Sequence, residues 1–211
     1  VALSKPVLAA TPTQIAAGGG TTCALTTAGS VECWPVATSP TVPVTYTVSA
    51  LVSPIGDLAA GSRDACAINA NGTVSCWDMA GGSPAVGLLP NLQFTQIDAF
   101  GGVACGTTTT TGAACWGLAD AQVTPTQPPT GLTGVTQVAV GSNFACAAVA
   151  GGVTCWSTNN SAAPYQGVLD VPFGLADVRS IEAGGNTVCA NRRTTGALVC
   201  WGALSGTYVA P

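Results

Sequence analysis

Gly141 to Trp156 reads GSNFACAAVAGGVTCW, a cysteine, a Gly-Gly turn, and a second cysteine followed directly by tryptophan. Five such units run through the chain, at Cys23 and Cys33–Trp34, Cys66 and Cys76–Trp77, Cys105 and Cys115–Trp116, Cys146 and Cys155–Trp156, and Cys189 and Cys200–Trp201. They use every cysteine and every tryptophan. Eight residues before each first cysteine stands an aliphatic residue: Ile15, Leu58, Ile97, Val138 and Ile181. A small-residue stretch then ends in Gly18, Gly61, Gly141 or Gly184, with Phe100 as the exception. First cysteines lie 39 to 43 residues apart. A period of that size marks one supersecondary unit, repeated because a single copy cannot bury its own apolar face.

The unit predicts strands. Between the cysteines of each pair stands a turn signal, Ala28-Gly29, Asn71-Gly72, Thr111-Gly112, Gly151-Gly152 or Thr195-Gly196. Glycine and asparagine supply the positive φ that tight hairpins need. Residues equidistant from such a turn face each other across the strands, within reach of a disulfide. The expected pairs are Cys23–Cys33, Cys66–Cys76, Cys105–Cys115, Cys146–Cys155 and Cys189–Cys200. Because side chains alternate along a strand, each tryptophan points away from the cystine face. One face of the hairpin carries the cross-link, and the other presents an indole to a neighbouring unit.

Zinc is the competing use of ten cysteines. The chain has no histidine and no Cys-x-x-Cys, so no metal site is expected. Regular cysteine pairs instead point to an oxidising compartment, extracellular or at the cell surface. VALSKPVLAA at the start lacks the features of a signal peptide, so the sequence reads as a mature or excised form. No apolar stretch has the length of a membrane-spanning helix.

Charged residues make up only 7% of the chain, against about 25% in ordinary domains. Solubility falls to Thr, Ser and Asn and to attached sugar. Net charge is −4 with five basic residues, which argues against nucleic acid as a partner. Two N-glycosylation sequons are present, Asn71-Gly72-Thr73 in a hairpin turn and Asn159-Asn160-Ser161 in a polar connector.

The termini complement one another. Ten residues follow Trp201 and eighteen precede the first repeat's turn, and together they match the length of one internal connector. A ring whose N-terminal segment completes its last unit has this property, whereas an open solenoid calls for capping repeats. The expected fold is therefore all-β. It is a five-bladed β-propeller over residues 1–211, with blades centred on 15–34, 58–77, 97–116, 138–156 and 181–201, and with 1–14 closing the ring against 202–211.

The units resemble the repeats of the RCC1 (regulator of chromosome condensation) superfamily of β-propellers. The resemblance rests on VAVGSNFACAAVAGGVTCW and IEAGGNTVCANRRTTGALVCWG: an aliphatic-x-Ala-Gly strand, a Cys-Ala strand, a glycine turn and a Val-x-Cys-Trp strand. It covers essentially the whole chain and implies a propeller of the secreted, cystine-bearing type. It departs in its five units, where the superfamily typically has seven, and in keeping the glycine after tryptophan only at Gly117 and Gly202. The superfamily includes exchange factors, inhibitors and lectin-like proteins, so the resemblance implies no single activity.

No catalytic constellation is visible. Without histidine there is no Ser–His or Cys–His nucleophile. Most of the nine acids fall at different phases of the repeat, and only Asp98 and Glu182 share one, two units apart. Arg63–Asp64 and Arg192–Arg193 read as solvated turns. The expected function is a non-enzymatic, cofactor-free structural or protein-interaction module of an extracellular glycoprotein assembly, with protein partners or self-assembly. The alternative is a secreted lectin or enzyme inhibitor that uses one propeller face. Identical phase in every repeat assigns the indoles to the core rather than to a sugar-stacking ring.

Overall fold

The computed structural model describes residues 11–35, 44–46, 55–78, 91–110, 112–118, 125–159, 167–203 and 208–210. These residues form five antiparallel sheets, each a meander of strands consecutive in the chain. Sheet 1 holds β1 (Pro12–Ala17), β2 (Thr21–Thr26), β3 (Val31–Pro35) and β4 (Val44–Tyr46). Sheet 2 holds β5 (Leu58–Ala60), β6 (Asp64–Ile68) and β7 (Val74–Asp78). Sheet 3 holds β8 (Phe94–Phe100), β9 (Val103–Thr108) and β10 (Gly112–Gly117). Sheet 4 holds β11 (Gln137–Gly141), β12 (Phe144–Val149) and β13 (Gly152–Ser157). Sheet 5 holds β14 (Val178–Gly184), β15 (Thr187–Arg192), β16 (Leu198–Gly202) and β17 (Tyr208–Ala210).

Hairpin chemistry sets the register. At Asn71-Gly72, φ is +80° at Gly72, and the turn is closed by its N–H donating to Asn69 O at 2.9 Å. That register places Cys66 directly opposite Cys76, and the same pairing recurs in all five sheets. Each cystine joins the middle strand to the third, with Cα atoms 4.0 to 4.1 Å apart. No cysteine is left free.

The sheets stack so that the cystine face of one meets the tryptophan face of the next. Leu58, Ala60, Ala67 and Trp77 of sheet 2 pack on Cys23, Leu25, Val31 and Cys33 of sheet 1. Ile97, Ala99 and Trp116 meet Cys66, Ile68 and Cys76. Val138, Val140 and Trp156 meet Val103, Cys105 and Cys115. Ile181, Val188 and Trp201 meet Phe144, Cys146 and Ala148. In sheets 2 to 5 the aliphatic residue eight positions before the first cysteine (Leu58, Ile97, Val138 or Ile181) therefore sits on the preceding sheet's cystine, whereas Ile15 of sheet 1 is exposed. Trp116 also meets Phe94 edge-on at 5.1 Å. Truncating a buried aromatic of this kind costs about 3–5 kcal/mol.

The inner strands pack in the order β1, β5, β8, β11, β14, and among the described residues no comparable packing joins β14 back to β1. Closure by residues 1–14 falls largely outside the described residues. Of that segment, Pro12–Ala17 forms the innermost strand of sheet 1, and the outermost strand of sheet 5 comes from Tyr208–Ala210.

Candidate functional site at the inner strands

The strand register turns one position of each repeat toward the following sheet. This position, just before the aliphatic residue, holds Gln14, Asp57, Gln96, Gln137 and Ser180. Gln14 Nε2 donates to Asp57 Oδ1 and to Leu58 O. Asp57 Oδ2 accepts the N–H of Ile97 at 2.8 Å. Gln96 clasps Val138 from both sides, donating to its carbonyl at 3.1 Å and accepting its N–H at 2.8 Å. Gln137 Oε1 accepts the N–H of Ile181 at 3.0 Å. The inner edge of a propeller blade leaves backbone groups without a ladder partner, and here the preceding blade's side chain satisfies them.

These strands line a partly open cavity of about 280 Å³, bounded by Gln14, Ile15, Asp57, Gln96, Asp98, Gln137 and Glu182 among others, with no basic side chain. Asp98 bridges sheets 3 and 4, its oxygens accepting the N–H groups of Ala99 at 2.8 Å and Val140 at 2.6 Å. Burial raises its carboxyl to about 7. The two N–H donors pull the other way, and the Glu182 and Asp57 carboxylates add to the rise. Three acids from sheets 2, 3 and 5 thus share one cavity, a convergence that repeat phase alone did not reveal. Among the described residues no group of three or more metal-ligating side chains is arranged to hold an ion.

The Asp98 shift fixes a sign. The unfolded carboxyl releases its proton near pH 3.8 and the folded one near 7. Between those values the folded state holds a proton that the unfolded chain has lost, so stability falls as pH rises through this window. Thermal melts from pH 4 to pH 7 are expected to show this decline, and Asp98→Asn should flatten it. A variant whose melts decline as steeply as the parent's would sink the assignment to Asp98.

Other sequence candidates lie away from the cavity. Four indoles, those of Trp77, Trp116, Trp156 and Trp201, are buried between sheets, so they form no sugar-stacking surface. Trp201 Nε1 donates to Val168 O at 2.9 Å and pins the connector before sheet 5. Asn71 is exposed at its hairpin tip, and its Oδ1 accepts the Thr73 hydroxyl at 2.6 Å. Asn159 is half-buried and its amide donates to Asn143 Oδ1 at 3.2 Å. Arg193 is exposed and pairs with Asp177 at 3.8 Å. Arg63–Asp64 departs from the expected solvated turn. Arg63 is exposed, but Asp64 is fully buried at the start of β6, because the turn closes through its carbonyl, which accepts the Gly61 N–H, and draws the residue into the strand.

One exposed feature escaped the sequence reading. Phe173 is fully exposed in the connector before sheet 5. It occupies a Pro-x-Gly-Leu turn in which Leu175 N donates to Pro172 O at 3.1 Å. Pro129-Thr130-Gly131-Leu132 builds the same turn before sheet 4, with Thr130 in place of the phenylalanine. Comparison of those two connectors was the available signal.

No family model matches the chain, and no curated protein matches it. Solved structures do. The CRINKLY WD40 ectodomain of the Arabidopsis thaliana receptor kinase ACR4 is 22% identical, with a TM-score of 0.69 over 98% of this chain and 69% of that one. The ectodomain of the Physcomitrella patens receptor kinase CR4 is also 22% identical, with a TM-score of 0.66 over 93% of this chain and 53% of that one. Prp20p of Saccharomyces cerevisiae, the yeast RCC1, is 20% identical, with a TM-score of 0.55 over 80% of this chain and 49% of that one. The chain therefore spans about half to two thirds of these longer proteins. Five meandering sheets, one cystine in each, and this set of structural neighbours identify the fold as a β-propeller of the RCC1-like type.

Proposed function

We propose that this protein is an extracellular interaction module, a cystine-stapled propeller that engages protein partners within a cell-surface or appendage glycoprotein assembly. The observation that carries the reading is the use of all ten cysteines in five disulfides, one inside each sheet. Such cross-links form and persist in oxidising surroundings and are rare in reducing ones. The likeness to two receptor-kinase ectodomains supports the same placement. Protein partners fit the fold, since the yeast neighbour Prp20p is described by its binding to Gsp1p and histones. Asn71 carries N-linked sugar in this reading, because its sequon lies on an exposed hairpin tip.

The protein isolated from its source under non-reducing conditions is expected to show no titratable thiol, and peptide N-glycosidase should convert residue 71 to aspartate. Free thiols would overturn the compartment, and an unmodified Asn71 would overturn the glycan alone. Cross-linking at the native surface tests the interaction itself. Adducts to another extracellular protein or to a second copy are expected, and recovery of the single chain without any adduct would overturn it.

A further inference from the structure

The chain is poor in charge, and its basic and its exposed apolar side chains gather at one corner of the rim. Three of its five basic residues, Arg179, Arg192 and Arg193, belong to sheet 5, in β14 and at the hairpin from β15 to β16. Four large apolar side chains are exposed among the described residues, and two of them, Leu169 and Phe173, stand on the connector into that sheet. Hydrogen bonds tie this connector to the hairpin. Asp177 O accepts the Arg193 N–H at 2.8 Å, and Asp177 Oδ2 accepts the Thr194 N–H at 2.7 Å and the Thr194 hydroxyl. Phe173 stands four residues before Asp177, at most about 14 Å of extended chain.

The arginines are poorly compensated within the chain. Among the described residues the one ion pair is Arg193 Nε with Asp177 Oδ1, at 3.8 Å and beyond hydrogen-bond reach, and the Arg193 side chain is 66% exposed. Asp177 is committed to the hairpin: Thr194 is the first cause holding its carboxyl below the usual range, and Arg193 and Arg192 are the last. Arg179 is exposed, and Arg192 Nε is shielded from solvent with no hydrogen-bond partner among the described residues. Neither pairs with an acid there, and Asp170, the connector's other acid, pairs with no base. The fold does not call for the phenylalanine either, since Thr130 fills its place in the matching turn before sheet 4. A fully exposed ring contributes nothing to the core.

We propose that this corner binds an acidic segment of another protein, whose carboxylates meet Arg192 and Arg193 while one of its aromatic side chains covers Phe173. The proposal rests on the interaction-module reading and deepens it by naming the surface and the chemistry of the partner. Charge complementarity selects an anion, because the guanidinium fork matches a carboxylate in two parallel hydrogen bonds. The ring selects a protein over an acidic polysaccharide: a bare phenylalanine gains most from an apolar side chain packed on it, and aromatic residues beside arginine make up interface hot spots. The connector and hairpin hold each other in place, so little ordering is left to be done on binding. The corner lies at the hairpin ends of the strands, away from the faces on which sheets stack, and every residue it uses is among those described.

Fluorescence anisotropy of labelled polymers titrated with the purified, non-reduced protein tests this. The probes are a random copolymer of glutamate and tyrosine, polyglutamate, and polygalacturonate, matched in length. The copolymer is expected to bind saturably and about tenfold more tightly than either of the others. Arg193→Glu should weaken its binding by about tenfold or more, and Phe173→Ser should lower it to the affinity of polyglutamate. Arg63→Glu makes the same change in net charge in a turn at the opposite end of the strands, and should bind like the parent. All three positions are exposed, so the variants should melt with the parent. A copolymer that does not bind, that binds no tighter than polyglutamate, or that binds Arg193→Glu or Phe173→Ser as well as the parent overturns the proposal. An equal loss from Arg63→Glu also overturns it, by reducing the effect to net charge. Polygalacturonate bound as tightly as the copolymer overturns it in favour of an acidic polysaccharide. None of these results touches the interaction-module reading, which stands or falls on cross-linking at the native surface.

Discussion

Full reduction of the five disulfides is expected to unfold the protein at room temperature. Each cystine closes a loop of 9 to 11 residues. In the chain-entropy model a loop of that length contributes about 2.5 kcal/mol, so five contribute about 13 kcal/mol. A domain's whole margin is about 5–15 kcal/mol. The cores give little in reserve, because they are rich in alanine: Ala24, Ala59, Ala60, Ala65, Ala67, Ala104, Ala145, Ala147 and Ala190 are all buried. The thiols would still pack as small apolar groups, so the loss falls on the unfolded chain, which regains its freedom. Near-ultraviolet circular dichroism and tryptophan emission before and after reduction and alkylation give the measurement. A reduced, alkylated protein that still melts cooperatively within a few degrees of the oxidised one would refute the expectation.

Replacing Gly18 by alanine should destabilise the fold by about 3 kcal/mol, at the upper end of overpacking costs. The added carbon would stand 1.9 Å from Ala60 O and 2.5 Å from both Ala60 C and Gly61 O. These are backbone atoms of the next sheet and cannot rotate aside, so the junction itself must open. For a chain of this size the melting temperature should fall by about 6–12 °C. Gly184→Ala, at the same phase of the fifth repeat, meets nothing within 4 Å and should change stability by less than about 0.5 kcal/mol. Paired melts of dilute protein decide the matter, and equal effects at the two positions would show that the glycine requirement is not set by the neighbouring sheet.

The repeat was legible because it is written in residue types with strong geometric demands. Cysteine and tryptophan at adjacent positions divide a strand into two faces, and the stacking of cystine on indole follows that division in all four junctions. At the outer edge of sheet 1, Val44–Tyr46 pairs with β3, a short strand of β-branched and aromatic residues. The polar residues of the inner strands were harder to see. Gln14, Asp57, Gln96 and Gln137 share a position but not a residue type, and their common role lies in contacts made about 40 residues away along the chain. The cavity acids were obscured for a related reason: Asp57 belongs to a different phase from Asp98 and Glu182, and curvature of the array brings the three together. Burial of Asp64 depends on the turn closing through Gly61, a backbone event that the dipeptide Arg63–Asp64 does not announce.

Every disulfide lies within one sheet, and none ties a sheet to its neighbour. Under tension applied at the two ends, the junctions are therefore the non-covalent links, and sheets can be pulled away one at a time while each hairpin stays locked. With first cysteines 39 to 43 residues apart and the 9 to 11 residues between paired cysteines held back, each event would release about 30 residues, or roughly 100 Å of chain at 3.3–3.6 Å per residue. A module built this way yields in metered steps rather than all at once. Each released hairpin keeps its register for refolding, because its cystine still pairs the middle strand with the third.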